Sequence, residues 1–215
     1  MTNASIDWSH VKDDIVFIDF ETTGLKPETN RIIEIGAIRF NKEKYLTTSA
    51  VDSLSLLIRH EKKLPVKIVE ITGITNEDLK GGEDIKTGLE QLLEFIGDRT
   101  VLAYNAKFDE AFLVEECKRC GLDLPATFKT VCVLELAREA LPGFENYKLA
   151  TLAKRLGLEV NHRALSDCSV TFQVFVSCFQ GSQKKRLFRK YFGETPTLEL
   201  EKNDGGVVGW LKRFF

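Results

Sequence analysis

The stretch Ile15-Val-Phe-Ile-Asp-Phe-Glu-Thr-Thr-Gly-Leu25 decides how the rest of the chain can fold. Its strand-forming residues are interrupted by Asp19 and Glu21 and are then ended by a Thr-Thr-Gly turn. Because side chains alternate along a strand, the two carboxylates point the same way. Neighbouring carboxylates repel each other and are costly to desolvate, so the pair indicates a bound cation, for which oxygen ligands suit magnesium or manganese. The alternative is a solvated face of an edge strand.

Two more strands are expected directly after this stretch. Residues 31–40 are rich in isoleucine and other apolar residues and are expected to form a second strand. Residues 41–44 are polar and are expected to form a turn. A third strand is expected within residues 45–49 or 54–59. Three strands joined by short turns predict an antiparallel meander.

Helical patterns dominate the remainder of the chain, with residues 100–104 as one further buried strand. Apolar spacing and stop signals at glycines predict helices in the following segments: 64–71, a segment ending at Ile96, a segment from Asn105 to before Gly121, 131–140, 149–156, and a last long helix capped by Ser166 that runs to Phe179. This alternation predicts an α/β fold, a mixed sheet with helices on both faces.

Length and composition fit one globular domain with an extension. The chain has 215 residues, of which 43% are hydrophobic and 29% charged. We place a core domain at residues 1–182 and a basic, aromatic extension at residues 183–215, which holds eight Lys and Arg against four Asp and Glu. The net charge of −2 excludes a basic protein that coats DNA.

Several features favour a cytoplasmic protein. No apolar stretch is long enough to predict a signal peptide or a membrane span. Five cysteines, an odd number spread through predicted helices, indicate reduced thiols. Cys117 and Cys120 have CxxC spacing, but no second ligand pair accompanies them, so core packing is the better interpretation.

Three other polar residues lie where α/β folds place ligands. Asp109 begins a predicted helix directly after the strand at residues 100–104, although an acid in a first helical turn is also common for dipole reasons. Asp167 lies at the start of the last helix, and His162 precedes it by five residues on the loop. A lone histidine is more often structural, but this one neighbours a fourth acid at a helix start.

These residues resemble the motifs of one known family. Asp19-Phe-Glu-Thr-Thr-Gly24, Ala103-Tyr-Asn-Ala-Lys-Phe-Asp109 and His162-Arg-Ala-Leu-Ser-Asp167 resemble, in order, the three motifs of the DEDD 3′→5′ exonucleases. In the third motif, a histidine lies five residues before the last aspartate, which is typical of the DEDDh (DnaQ-like, proofreading) branch. The other branch has a tyrosine at the position that Arg163 occupies in this chain. Thr72-Gly-Ile-Thr75 resembles a further segment of the family, so the similarity covers residues from about 13 to 180.

The resemblance implies an RNase H-like exonuclease fold with a five-stranded sheet and a site that holds two Mg²⁺ or Mn²⁺ ions. Asp19, Glu21 and Asp167 would hold the ion that carries the attacking water, and Asp19 and Asp109 would hold the second. His162 would be the general base, because a neutral imidazole can take a proton near neutral pH. Two divalent ions about 3.5–4 Å apart supply the nucleophile and stabilise the charge of phosphodiester hydrolysis.

The family also implies a pocket for the last nucleotide of the strand. Six residues would contribute to it: Thr22, Thr23, Leu25, Ile74, Asn105 and Phe108. Asn105 would hydrogen-bond near the nucleotide, Phe108 would pack at the scissile phosphate and Ile74 would wedge against a base. For the three apolar residues of this set, plain core packing is the alternative.

The leading hypothesis is a metal-dependent 3′→5′ exonuclease that releases nucleoside 5′-monophosphates, from single-stranded or frayed DNA ends, in proofreading or repair. An exoribonuclease that trims RNA 3′ ends on the same site is the first alternative, and an inactive nucleic-acid-binding or polymerase-binding module is the second. Residues 184–190 are either a backbone-tracking basic segment or the solvated end of a helix. Residues 209–215 are either a docking peptide for a polymerase or sliding clamp or a segment that folds back.

Overall fold

The computed structural model describes residues 15–41, 51–126 and 128–179, together with Leu187 and Lys190. Within these residues, none of the helices has the length and apolar character that crossing a membrane requires. Of the extension, Leu187 is buried in the core of the domain and Lys190 pairs with Glu139 at 2.6 Å, whereas residues 209–215 lie outside the described residues.

A five-stranded sheet in the order β3-β2-β1-β4-β5 forms the centre of the fold. Its strands are β1 Ile15–Thr22, β2 Ile32–Phe40, β3 Asp52–Leu57, β4 Thr100–Ala103 and β5 Thr130–Cys132. β1, β2 and β3 pair antiparallel, whereas β1 with β4 and β4 with β5 pair parallel. The predicted meander and mixed sheet are therefore confirmed, and the stretch at residues 15–25 supplies the central strand.

Seven helices among the described residues cover the two faces of the sheet. They are α1 Val66–Thr72, α2 Asn76–Lys80, α3 Ile85–Ile96, α4 Ala106–Cys120, α5 Val133–Ala140, α6 Leu149–Leu156 and α7 Ala164–Cys178. Ile15 and Phe17 of β1 pack in the core beneath α5, α6 and α7, while Val16 and Ile18 pack in the core beneath α3 and α4. The alternation along β1 thus fills both layers.

Two boundaries differ from the sequence prediction, and one strand was missed. Val131 and Cys132 were expected to be helical, but they lie in β5 because they pair with Leu102 and Ala103 of β4. A three-residue strand that continues directly into a helix leaves no turn signal between the two periods. The third strand occupies part of the 54–59 segment, beginning at residue 52, and residues 45–49 lie outside the described residues.

The start of α7 is the second difference. Ser166 was expected to cap this helix, but the helix begins at Ala164 with Arg163 in the N-cap position, and no side chain of Arg163 caps it. The carboxylate of Glu34 instead accepts a hydrogen bond from the Ala164 N–H at 2.9 Å. A residue on β2 therefore performs the capping that the sequence assigned to a serine.

Gly36 allows this helix to lie directly on the sheet. A Cβ at Gly36 would stand 2.3 Å from the carbonyl carbon of Ala164, far inside van der Waals contact. Cys168 lies one turn further along, with its Sγ 3.4 Å from the Gly36 carbonyl oxygen and 3.6 Å from that of Phe17. Because Gly36 pairs with Asp19, the first turn of α7 is fixed beside the carboxylates of β1.

Candidate active site

Acidic side chains from three elements meet near the carboxyl end of β1. This is the point where the sheet changes from antiparallel to parallel pairing, and such switch points are where open α/β sheets bind ligands. Asp19 and Glu21 come from β1, Asp109 from the first turn of α4 and Asp167 from the first turn of α7. The charges of Asp109, Asp167 and Glu21 all act on Asp19, so the four acids form one cluster.

Asp109 is held against the backbone of β1. The helix that carries it begins three residues after β4, the parallel neighbour of β1, so its first turn lies above the end of β1. Asp109 is 4% exposed, and its carboxylate accepts a hydrogen bond from the backbone N–H of Phe20. One acid thus lies beside the strand that carries two others.

Asp167 is buried with one oxygen left without a partner. It is 4% exposed and accepts a hydrogen bond from the backbone N–H of Asn161. Within the described part of the chain, its Oδ1 is buried and receives no hydrogen bond. A buried carboxylate oxygen without a donor is costly, so it indicates a site that a cation completes.

His162 is the exposed member of the site. It has a φ of 53°, in the left-handed region that a non-glycine residue seldom adopts, and this conformation turns the chain into α7. One ligand atom each from His162, Glu21 and Asp167 lies within 4.8 Å of the others. The structure therefore brings the histidine and two of the acids to one point.

Burial raises the pKa of every acid in this cluster, and the charges of neighbouring carboxylates raise it further for Asp19, Glu21 and Asp167. Desolvation is the largest cause in each case, and it raises the pKa of Glu21 to about 8, that of Asp109 to about 7 and that of Asp167 to about 6. The pKa of Asp19 lies well above its ordinary value because burial and then the charges of Asp109, Asp167 and Glu21 all disfavour its ionised form. Without a counter-charge, the cluster resists full ionisation at neutral pH.

The donor set fits a divalent metal ion. Carboxylate oxygens are hard ligands of the kind that Mg²⁺ and Mn²⁺ prefer, and a histidine on one side is compatible with Mn²⁺. The unpartnered Oδ1 of Asp167 and the raised pKa values both describe negative charge that the protein itself leaves uncompensated. The cluster of carboxylates and histidine is thus able to hold a metal ion.

Glu34 and Arg163 form an ion pair beside the site that the sequence analysis did not predict. Glu34 lies opposite Glu21 on β2, is 2% exposed and accepts hydrogen bonds from Arg163 Nε at 3.0 Å and Nη2 at 2.8 Å. This ion pair, buried on the glutamate side and half-exposed on the arginine side, anchors the residue next to His162. A signal was present, because Glu34 is a charged residue within the apolar run of residues 32–38, the same kind of interruption that singled out Asp19.

The turn after β1 is built from its own hydroxyl groups. The hydroxyl of Thr22 donates to the carbonyl of Gly24 at 2.7 Å, and that of Thr23 accepts from the backbone N–H of Arg31 at 3.0 Å. Leu25 follows at the tip, where its side chain is 83% exposed. Three of the residues predicted to line the nucleotide pocket lie in this turn. Leu25 is exposed, and the hydroxyl groups of Thr22 and Thr23 make hydrogen bonds within the turn.

The other three predicted pocket residues differ in burial. Ile74 is 2% exposed and packs in a small core cluster with Ile33 and Leu64, which is the packing alternative stated for it. Asn105 occupies the N-cap position of α4 and is exposed, but its side chain makes no capping hydrogen bond. Phe108 is half-buried, with its ring centroid 4.8 Å from that of the next aromatic residue on α4.

Fold and site together define a mixed α/β protein with a cluster of carboxylates, able to hold a metal ion, at the switch point of its sheet. Residues 16–175 match the family model RNase_T, described as Exonuclease. The chain belongs to this exonuclease family.

Curated relatives extend this assignment. The DNA polymerase III PolC-type protein of Thermotoga maritima is 36% identical over 203 residues, which cover 93% of this chain but 14% of that protein. The DNA polymerase III subunit epsilon of Aquifex aeolicus is 32% identical over 169 residues, which cover 77% of this chain and 80% of that subunit. The chain thus spans a small part of the PolC-type relatives and most of the epsilon subunit.

Solved structures agree on the fold. Exonuclease I of E. coli in complex with a dT13 oligonucleotide has a TM-score of 0.71 and 23% sequence identity, over 84% of this chain and 44% of that one. Apo exonuclease I gives a TM-score of 0.70 with 20% identity, again over 84% of this chain and 44% of the other. The predicted RNase H-like exonuclease fold is therefore confirmed.

Proposed function

We propose that the protein is a metal-dependent 3′→5′ exonuclease that releases nucleoside 5′-monophosphates from DNA ends, in proofreading or repair. The observation that carries the proposal is the convergence of ligand atoms from Glu21, His162 and Asp167 within 4.8 Å, beside the half-buried Asp19 and the buried Asp109. Membership of the exonuclease family supports the reaction class, and the relatives that are DNA polymerase subunits favour DNA over RNA.

Four carboxylates would hold two divalent ions. Asp19, Glu21 and Asp167 would hold one ion and Asp19 and Asp109 the other, with Asp19 shared between them. When bound, the two ions supply a nucleophile at neutral pH and stabilise the charge that develops on the reacting phosphate and on the departing 3′ oxygen. The protein contributes the rigid frame, because each acid lies on a strand or in the first turn of a helix.

His162 would act as the general base. Its side chain is exposed, so water and substrate can reach it, and its ring lies next to the carboxylates of Glu21 and Asp167. An imidazole is suited to taking the proton of an attacking water near neutral pH. The Glu34–Arg163 ion pair fixes the adjacent backbone, which keeps the imidazole at the carboxylates.

The end of the strand would be received by the turn after β1 and the start of α4. Leu25 is exposed for contact with a base, Asn105 is exposed for a hydrogen bond, and Phe108 lies one residue before Asp109. The backbone of Thr22 and Thr23 would line the terminal nucleotide. Ile74 would wedge against a base, although its 2% exposure favours the packing alternative.

One assay series tests the proposal. The purified protein is given Mg²⁺ or Mn²⁺ with single-stranded, mismatched and 3′-recessed DNA beside matched RNA, and the products are identified. We expect release of 5′-monophosphates that stops in EDTA and in Asp19→Ala. His162→Ala is expected to lower kcat by about 10²–10⁴. Asp123→Ala, which removes an exposed carboxylate before β5, is the matched control and leaves activity unchanged.

The same series separates the alternatives. Faster degradation of RNA than of DNA would replace the proofreading or repair role with RNA 3′-end trimming. Nucleic-acid binding without hydrolysis would indicate an inactive binding module, although all four carboxylates are present. Activity that persists in EDTA or in Asp19→Ala would contradict the two-metal mechanism. Association with a polymerase or sliding clamp through residues 209–215 is a separate proposal, tested by deleting these residues and measuring binding to the partner.

A further inference from the structure

A second cleft lies across the turn from the carboxylates. It is a cavity of about 570 Å³ between residues 58–63, which follow β3, the turn at residues 29–31 and the end of α4. Thr23, two residues after Glu21, lines it. The end of α4 borders this cavity and its first turn carries Asp109 of the site, whereas Asp167 of the site lies on α7.

The charge of this cationic cleft is strongly positive. Arg31, Arg59, Lys62 and Lys63 line it, against the single carboxylate of Glu61. Two further charged residues line the cleft from α4, Glu116 and Arg119, and they form an ion pair with each other at 3.2 Å. Within the part of the chain that the structure describes, the side chains of Lys62, Lys63 and Arg59 have no carboxylate within ion-pairing distance.

The segment that carries these cations is held in place by hydrogen bonds. The side-chain oxygen of Asn76 accepts a hydrogen bond from the backbone N–H of Leu64 at 2.9 Å. Its side-chain NH₂ group donates a hydrogen bond to the carbonyl oxygen of Lys62 at 2.8 Å. The backbone N–H of Arg59 donates to the carbonyl of Glu83 at 2.8 Å. The cations are therefore presented from an ordered backbone, which lowers the entropy that a ligand must overcome.

The cations of this cleft also act on His60. Burial lowers the pKa of His60, the positive charges of Lys62 and Arg31 lower it further, and the charge of Glu61 opposes them. With four cations along one cavity, the fitting ligand is a chain of phosphates rather than a single carboxylate.

We propose that the cationic cleft binds the phosphate backbone of the substrate strand on the 5′ side of the bond that is cleaved at the carboxylate site. This inference rests on the proposed nuclease function for the identity of the strand. Thr23 links the two places, so a strand whose last nucleotide lies at Glu21 passes over the turn and meets Arg59, Lys62 and Lys63. Basic grooves of this kind track single strands without reading their sequence.

The first test measures binding without cleavage. Fluorescence anisotropy with a labelled 20-nucleotide single strand in EDTA gives the dependence of affinity on salt. Each phosphate contact on a single strand contributes a slope of about 0.7 in log affinity against log salt. The triple variant Arg59→Ala, Lys62→Ala, Lys63→Ala is therefore expected to have a slope shallower by about 2. The matched control removes three exposed cations at α6, Lys148, Lys154 and Arg155, and is expected to keep the slope of the unmodified protein.

The second test uses substrate length. A dinucleotide holds only the bond to be cleaved and cannot reach the cleft, so its kcat/KM is expected to be unchanged in the triple variant. For the 20-nucleotide strand we expect a loss of about tenfold or more at low salt. An equal loss on both substrates, or equal salt slopes in the two triple variants, would overturn the inference. If the unmodified protein releases no nucleotide, the proposed function fails, and the salt slopes still decide whether the cleft binds the strand.

Discussion

Glu34 and Glu21 lie opposite each other on neighbouring strands, and their partners assign them different roles. Glu34 accepts hydrogen bonds from the Nε and Nη2 groups of Arg163 and from the Ala164 N–H. Glu21 keeps a pKa of about 8, chiefly through burial, with the charges of Asp167 and Glu34 adding to it. One carboxylate therefore anchors the loop that carries His162, and the other remains available for a cation.

Removing the anchor tests the first of these roles. Arg163→Met would leave the Glu34 carboxylate buried with only the helix N–H for a partner, and we expect a loss of about 2 kcal/mol in the free energy of unfolding. Nucleotide release is expected to fall as well, because the His162 loop loses its anchor. Urea unfolding beside the activity assay measures both. Arg155→Met, at an exposed position of α6, is the control, and equal stability of the two variants would argue against the anchoring role.

The raised pKa values give a prediction for the dependence of stability on pH. The pKa of Glu21 is about 8 and that of Asp109 about 7 in the folded protein, against 4.5 and 3.8 as ordinary values. The folded state therefore holds more protons than the unfolded state at intermediate pH. The stability that the protonated forms provide is complete below about pH 4 and is lost as the pH rises through 7 and 8.

We accordingly expect the Tm of the metal-free protein to fall between pH 5 and pH 9. Added Mn²⁺ should raise the Tm more at pH 8.5 than at pH 6, because ionised carboxylates bind the ion. Scanning calorimetry in EDTA and in Mn²⁺ measures both effects. In the double variant Glu21→Gln, Asp109→Asn the fall with pH should flatten. A metal-free Tm that stays level or rises over this range would contradict the electrostatic account.

At the scale of elements, the close approach of α7 to β2 fixes the geometry of the site. Gly36→Ala would place a Cβ 2.3 Å from the backbone of Ala164, so the helix must move away from the strand that carries Asp19. We expect a loss of about 1–3 kcal/mol in stability and a larger fractional loss of activity, because Asp167 moves with the helix.

Gly81→Ala is the matched control for this variant. A Cβ at Gly81 would meet no atom within 4 Å, and its φ of −87° suits alanine. Chemical unfolding and nucleotide release are measured for both variants. If Gly36→Ala retains full activity and stability, the helix does not depend on that contact for its position.

Most elements could be predicted from the sequence, because their periods and stop signals are local. The helix that ends at Gly97 and the central strand at residues 15–22 are examples, since apolar spacing and a turn glycine define each of them. β5 could not be predicted, because its three residues run into α5 without a turn. The start of α7 was also missed, because its cap is Glu34, which is 130 residues away in the chain.

The residues of the candidate site were likewise predictable from the sequence only in part. Its acids were predictable because charges in apolar strands and at helix starts are visible in the sequence, and His162 because it precedes Asp167 at a fixed spacing. The Glu34–Arg163 ion pair depends on the register of β1 with β2 and on the position of α7. The cationic cleft brings together segments that are distant in sequence, so no local pattern predicts it.

At the scale of the whole molecule, the extension contributes to the core. Leu187 lies beyond the predicted boundary at residue 182, yet it is 1% exposed and belongs to the cluster beneath α7. Leu187→Ala is therefore expected to lower the free energy of unfolding by about 2–3 kcal/mol. Leu156→Ala, at a site that is 37% exposed, is the control and should cost less. Denaturant unfolding compares the two, and equal small losses would show that the domain ends before residue 187.

The turn after β1 connects Glu21 of the carboxylate cluster to Thr23, which lines the cationic cleft. The central claim is that this arrangement removes nucleotides from the 3′ end of a DNA strand. Product analysis of a strand labelled at its last nucleotide tests the claim most directly, with Mn²⁺ present. We predict that the label appears first, as a nucleoside 5′-monophosphate, and that Asp19→Ala releases none. Release that begins at the 5′ end, or that yields 3′-monophosphates, would contradict the account.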